Sequence, residues 1–283
     1  MDSLIPGLGT MSFYWIYDLP TWKFGVGTIA LFTLISVGGL FLTRTLIYNK
    51  FRISDASNET VNGFFAGVGV IYGLLVGLVA VAAWDNYQSV DSIASKESAA
   101  IAALYRDIST LEQPSKGKLQ AELRGYLAFV IEVAWPAHKR GERPRHGGRL
   151  LSNFHTLLAS YHPRSVEQQT LQAEALTAFN KLVEARRARL AAIDTGIPQV
   201  FWIVILAGTF ATIFIAYFFH LSSKRLHLLL TGVFGGFVGC VVFLVAALDN
   251  PFRGEISVSS EAYVQLQTTL VDLDPATQQS PVP

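Results

Sequence analysis

Four apolar runs constrain this chain more than any other feature. They cover about 24–42, 61–84, 198–219 and 226–248, and none has Asp, Glu, Lys or Arg in its interior. Each is near the roughly 20 residues that a helix needs to cross ~30 Å of hydrocarbon. A charged side chain at the centre of such a helix is costly, so charge-free runs of this length point to a membrane rather than to a soluble core. The runs come as two close pairs on either side of a polar middle. The expected fold is an all-α membrane protein with four transmembrane helices in a 2+2 layout. A helical extramembrane domain is expected between spans two and three.

The residue balance agrees. The chain is 51% hydrophobic and only 15% charged, with net charge +1. A typical soluble domain is about 25% charged, and the deficit here lies in the four runs. So balanced a charge gives no reason to expect a nucleic-acid partner. The one cysteine, Cys240, lies inside the fourth run, so no intramolecular disulfide can form.

Residues 1–23 do not form an ordinary secretory leader, because they lack a basic start and run on into a long apolar stretch with no small-residue cleavage site. They are expected to be an interfacial lead-in, with Phe13, Tyr14, Trp15, Tyr17 and Trp22 as membrane-interface aromatics. The first hairpin then covers 24–84, the extramembrane domain 85–197 and the second hairpin 198–248. A turn and tail follow over 249–283, with 275–283 frayed.

Apolar positions Val90, Ala94, Ile101, Leu104, Ile108 and Leu111 recur at helical spacing. Span two is therefore expected to continue as one long helix to the break at Gln113-Pro114. Further helices are expected over 118–135, ending before Pro136, then over 150–161 and 166–193. Ser165 would cap the last of these, with Gln168 as its capping-box partner. Gly196 and Pro198 mark a joint before span three. Residues 255–259 look extended and 260–270 helical.

The 2+2 layout puts both short connections on one side of the membrane and the middle domain with both termini on the other. Arg44, Lys50, Arg52, Lys224 and Arg225 fall in the short connections. By the positive-inside rule this leans toward short loops in the cytoplasm and a middle domain outside a bacterial-type inner membrane. Arg186, Arg187 and Arg189, shortly before span three, argue the other way.

Several patterns carry candidate function. Gly69, Gly73 and Gly77 recur every four residues in span two, and Gly232/Gly236 and Gly235/Gly239 repeat the device in span four. Small residues let membrane helices approach closely. The plain reading is that spans two and four pack together; the sharper one gives a glycine face to a subunit interface or pore wall. Val70, Leu74, Leu78 and Val81 share one face of span two and could form a hydrophobic neck; equally, they could face lipid. Asp85-Asn86 ends span two and Asp249-Asn250 ends span four. These polar boundary residues could form a carboxylate ring or simply cap neighbouring backbone. Arg253 lies in a turn fixed by Pro251 and Gly254, within reach of phosphate or of Asp249.

These residues carry a resemblance. The run Gly73-Leu-Leu-Val-Gly-Leu leading into Trp84-Asp-Asn-Tyr87, the string Asp249-Asn-Pro-Phe-Arg-Gly254 and the 2+2 layout resemble the bacterial bestrophin-like domain family over most of 24–270. That family is named for its kinship with bestrophins, pentameric anion channels whose second helices line the pore. The resemblance implies a homo-oligomeric channel in the lipid bilayer, passing small inorganic ions and chloride among them. It also implies a cytosolic middle domain, opposite to the lean of the charge count. No acidic calcium-clasp cluster matches, so calcium gating is not implied.

No phosphate loop, dinucleotide fingerprint, HExxH or paired-cysteine pattern is present, and the six histidines are scattered. No catalytic residue, metal site or cofactor is expected, and the chain is not expected to be an enzyme. The alternative to a channel is a non-conducting scaffold or sensor whose helical domain binds a partner.

Overall fold

In a computed structural model, residues 13–272 can be described; 1–12 and the tail from 273 lie outside them, with the expectations for those segments. Among the described residues all regular structure is helical. After a short 3-10 turn at Phe13–Asp18 come α1 (Thr21–Phe51), α2 (Ser57–Ile108), α3 (Ser115–Phe129), a π turn (Val130–Ala134) and α4 (Trp135–Lys139). Then follow α5 (His146–Ala159), α6 (Val166–Ala192), α7 (Gln199–Ala216), α8 (Lys224–Asp249) and α9 (Glu261–Asp272). Helices α1, α2, α7 and α8 are each long and apolar enough to cross a membrane.

The chain divides into two compact units. One holds the described residues up to Asp85 together with Gly196–Asn250 and Gly254–Ile256. The other holds Asn86–Thr195, Pro251–Arg253 and the described residues from Ser257 on. Helix α2 contributes to both, with the division after Asp85.

In the membrane unit, α1 runs to Phe51, well past its apolar stretch, and Arg52 closes it in the left-handed region at φ 50°. Arg44 and Lys50, expected in a loop, are thus helical, and the connection to α2 shrinks to a few residues. Buried Phe32, Leu40, Val76, Val79, Ile205, Ile213, Val238, Val242 and Val245 form the core of this unit. Backbone groups have no water to turn to in hydrocarbon, and three carbonyls in the connection after α7 find side-chain partners. Tyr48 Oη donates to Phe219 O at 2.7 Å, Asn58 Nδ2 to His220 O at 2.9 Å and Arg44 Nη2 to Leu221 O at 3.0 Å. The His220 amide in turn donates to Asn58 Oδ1 at 2.7 Å, so both short connections are tied to each other.

The second unit is built from the later half of α2 with α3–α6 and α9. Its core includes Ile101, Leu104 and Ile108 of α2, Leu119, Leu123 and Leu127 of α3, Phe154 and Leu158 of α5, and Leu182 of α6. The stripe legible in α2 is the buried stripe. Ser165 caps α6, its hydroxyl accepting from the Gln168 amide at 3.2 Å. Gln168 reaches back one residue further than a capping box requires, to the amide of Arg164 at 2.7 Å.

The expected stop before Pro136 does not occur. Helix α3 opens into the π turn and continues through Pro136 to Lys139. A proline inside a regular helix lacks a donor and crowds the preceding turn; a wider turn just ahead of it gives the ring room. Residues 255–259 form no strand: the Val258 amide bonds Pro251 O at 2.8 Å and closes a turn. Gly141, at φ +77°, lies under the Arg253 guanidinium, which occupies the space a Cβ there would need.

Candidate functional site

In the membrane unit the decisive element is the first half of α2. Val76, Val79 and Ala83 are buried, and Tyr72 stands in series with them at 4-3-4 spacing. This face meets α7: Tyr72 Oη lies 2.5 Å from Thr209 Oγ1, and the Tyr72 ring fills the space left by Gly208. Phe65 adds ring contacts to Phe219 and Phe234 at 5.5 and 5.3 Å between centroids.

Val70, Leu74, Leu78 and Val81 lie on the opposite face and are 71%, 65%, 63% and 58% exposed. Gly73 and Gly77 are exposed beside them and Gly69 is half-buried. A Cβ built on Gly63, Gly67, Gly69, Gly73 or Gly77 would find no neighbour within 4 Å. The exposed faces of the other spans carry large side chains, such as Leu34, Leu42 and Leu46 on α1, Ile203 and Phe214 on α7, and Val233 and Phe237 on α8, though Gly27 and Gly38 of α1 are also clear of neighbours.

The glycines of span four behave differently, and they correct the expectation that the two glycine repeats pack spans two and four together. They face α1. A Cβ on Gly235 would collide with Ser36 and lie 2.8 Å from Phe32 O; one on Gly239 would lie 2.9 Å from Ile29 Cα. A Cβ on Gly232 would lie 3.1 Å from Val37 Cγ2, and one on Gly236 3.1 Å from Thr33 Oγ1. The repeat does mark close helix approach, but with a different partner.

Of the boundary residues, Asp85 is exposed and Asn86 half-buried. Asp249 is committed within its unit: Oδ1 accepts from the Ile197 amide at 2.5 Å and Oδ2 from Trp202 Nε1 at 3.1 Å. It satisfies backbone just ahead of α7, where a helix start leaves donors open. Asn250 Nδ2 donates to Tyr17 Oη at 2.9 Å, and that hydroxyl donates to Ala246 O at 3.0 Å.

The second unit contains a buried constellation not anticipated from sequence. Glu97 on α2 and Arg189 on α6 are fully buried and joined by two bonds, Nε to Oε2 at 2.5 Å and Nη2 to Oε1 at 3.1 Å. Tyr126 of α3 donates to Glu97 Oε1 at 2.6 Å and Tyr263 of α9 to Oε2 at 3.1 Å. Arg189 Nη1 lies 3.1 Å from Nδ1 of His138 on α4. Five helices thus meet at one ion pair. Burial, with the negative Glu97 beside them, pushes both tyrosine hydroxyls up, away from ionisation. Burial first, and then the Arg189 charge, push His138 down to about 3, so its ring is neutral and accepts from the guanidinium.

Every oxygen of Glu97 is engaged from within, so the cluster clamps helices together. Its signal in the sequence is an acid on the apolar stripe of α2, three residues after Ala94 and four before Ile101. A carboxylate at such a position needs a buried cationic partner. Among the described residues no three His, Cys, Asp or Glu side chains are grouped to hold a metal ion.

Fold and site together define the class: a multi-pass α-helical membrane protein with a large helical extramembrane unit. The chain belongs to the bestrophin-like domain family, whose model matches residues 30–263. Among solved structures it is similar to a bacterial bestrophin homologue from Klebsiella pneumoniae solved by zinc phasing, with TM-score 0.63 and 13% identity over 90% of this chain and 99% of that one. A single-substitution variant of the Klebsiella pneumoniae homologue gives TM-score 0.65 at 10% identity, over 87% of this chain and 97% of that one. At such identities the likeness is one of fold. No curated protein matches the sequence.

Proposed function

We propose that this chain is the subunit of a homo-oligomeric ion channel, passing small anions such as chloride, with the first half of α2 lining the pore. The observation that carries the reading is the outward face of α2. It combines five glycines that meet no neighbour within the chain, against Gly27 and Gly38 on α1, with an aliphatic row, Val70, Leu74, Leu78 and Val81. Large side chains cover a helix well against lipid, whereas small ones suit close approach of another helix. A ring of such faces makes a narrow, uncharged constriction that gates by dewetting. Membership of the bestrophin-like family supports the reading.

In this reading Asp85 sits exposed at the end of the pore helix. Asp249 is occupied with backbone ahead of α7 and does not join it in a carboxylate ring. We place the extramembrane unit in the cytosol, as the family resemblance implies.

Halide flux through the purified protein in sealed liposomes tests the proposal. Flux well above empty liposomes is expected, raised several-fold by Leu74→Ala and suppressed by Gly73→Val. Well-folded oligomer that gives no flux across several ions and voltages would overturn it.

A further inference from the structure

The connection between α4 and α5 gathers basic residues. Positions 139–149 hold Lys139, Arg140, Arg143, Arg145 and Arg149 against one acid, Glu142. All six of these residues are exposed. Glu142 is taken up within the connection: Arg140 donates to it twice, Nε to Oε1 at 3.2 Å and Nη2 to Oε2 at 3.0 Å. Arg143 pairs with Asp194. Lys139, Arg145 and Arg149 are left over, and among the described residues no carboxylate lies within ion-pair distance of them.

The surface is a built one. The amides of Arg140 and Glu142 both donate to Ala137 O at 2.9 Å, and that of Gly141 to His138 O at 2.8 Å. Gly147 lets the start of α5 settle on α3, since a Cβ there would come within 2.7 Å of Phe129 Cε1. Arg149 Nη2 lies 3.1 Å from His146 Nδ1. Helix α5 opens at Arg145 with no side-chain cap and no acid in its first turn. Arg145 and Arg149 therefore stand at the positive end of the helix dipole, where cations are disfavoured. Such an arrangement weakens the helix by itself and is relieved by an external anion.

Two anchors fix where this surface lies along the chain. Arg143 is held by Asp194, five positions before α7 begins at Gln199, and Gly141 lies under Arg253, four positions after α8 ends at Asp249. A residue spans at most about 3.6 Å, so the two anchors lie within about 18 and 14 Å of a span end. By contrast, Ile108 at the end of α2 lies about 35 Å along that helix from Asp85. Charges near that turn balance, Arg106 and Lys116 against Asp107 and Glu112. The basic excess is therefore tied to the span ends.

We infer that the 139–149 surface docks on an anionic phospholipid headgroup layer, with Lys139, Arg145 and Arg149 meeting the phosphates. Basic clusters of this size beside a span are drawn to anionic lipid, and guanidinium forks match phosphate oxygens two at a time. A headgroup layer is permanently within reach of this surface, which raises its effective concentration above that of a soluble anion. The contact is independent of conduction.

The test is hydrogen exchange of the full-length protein in nanodiscs of phosphatidylcholine alone and in discs that also contain phosphatidylglycerol. Each disc has the same lipids on both faces, so the result does not depend on orientation. Amides of 139–149 are expected to exchange about fivefold or more slowly with phosphatidylglycerol, the factor that one basic residue gains at such a surface. The turn at 160–165 should be unchanged and serves as the internal reference. About 1 M salt, where the screening length falls to about 3 Å, should abolish the difference in the unmodified protein. Arg145→Asp with Arg149→Glu should abolish it too, while holding or raising the melting temperature, because acids suit a helix start. The salt arm keeps the test decisive if that variant does not fold. Three results would overturn the inference: equal exchange in the two discs, protection that neither salt nor the variant removes, or protection by a polyglutamate peptide in phosphatidylcholine discs with none from phosphatidylglycerol.

Discussion

Arg189 and Glu97 lie 92 positions apart and meet side by side, Nε to Oε2 and Nη2 to Oε1, with essentially no exposure. Desolvating two charges costs several kcal/mol each, and mutual attraction offsets this only when the remaining lone pairs are also satisfied. Tyr126 and Tyr263 supply that saturation on Glu97, and His138 receives the remaining arm of Arg189. The pair is therefore less a source of net stability than a demand that five helices take one arrangement.

Removing one partner should expose that demand. Glu97→Gln or Arg189→Met leaves an uncompensated buried charge and is expected to destabilise the second unit by about 3–5 kcal/mol. Denaturant unfolding of the purified protein, followed by tryptophan fluorescence, measures it. The double change Glu97→Met with Arg189→Met should recover much of the loss. A double variant no better than either single one would contradict the account.

The same cluster sets the pH range of the fold. His138 is held down to about 3 against an ordinary 6.5, so below 6.5 the unfolded chain takes up a proton that the folded one refuses. Its share of stability is complete above about pH 6.5 and is lost as pH falls toward 3. By pH 5 the loss is about 2 kcal/mol. Tyr126 and Tyr263 are pushed above 10, so a second loss begins as pH rises past about 10. His138→Gln should flatten the acid limb of a melting-temperature profile between pH 7 and 5 and leave the alkaline limb in place.

Span glycines should divide into two groups by substitution. Gly239→Val drives a side chain into the α1 backbone at Ile29, and overpacking of this kind costs about 1–3 kcal/mol. Gly77→Val meets nothing within the chain and should leave the subunit fold intact while loosening or blocking the assembly. Thermal stability read beside size-exclusion elution separates the two: Gly239→Val should lower the first, Gly77→Val should alter the second or the flux. Equal loss of subunit stability in both would count against an outward role for the α2 face.

Much of this was legible in the sequence, for identifiable reasons. Charge-free runs of membrane length leave few alternatives, so the four spans stand out. The unbroken stripe from Val90 to Ile108 made α2 one helix across Trp84, and Ser165 marked the start of α6 through its hydroxyl. What sequence could not supply was partnership. A glycine repeat signals that some helix comes close, and nothing in Gly235 or Gly239 says that it is α1. Glu97 and Arg189 look like ordinary charges until the fold closes the gap between them, although the place of Glu97 on an apolar stripe was a readable warning. Pro136 looked like a stop because a π turn ahead of it has no clear composition mark. Asp249 could equally have faced a pore or capped backbone, and only the position of Ile197 favours the second.

The charge count and the family resemblance place the extramembrane unit on opposite sides of the membrane, and we favour the resemblance. Arg44 is bound to Leu221 O and lies over the Tyr48 ring, 4.6 Å from its centroid; Lys224 lies 4.6 Å from the Phe41 ring centroid. Meanwhile Arg186 and Arg187, close to span three in sequence, carry no ion pair among the described residues. Insertion responds to lysines and arginines near the ends of spans, and those two favour retention in the cytosol. With Cys240→Ala as background, Arg145→Cys is expected to resist a membrane-impermeant maleimide in intact cells and to react after permeabilisation. Labelling in intact cells would put the unit outside and return the argument to the basic short connections.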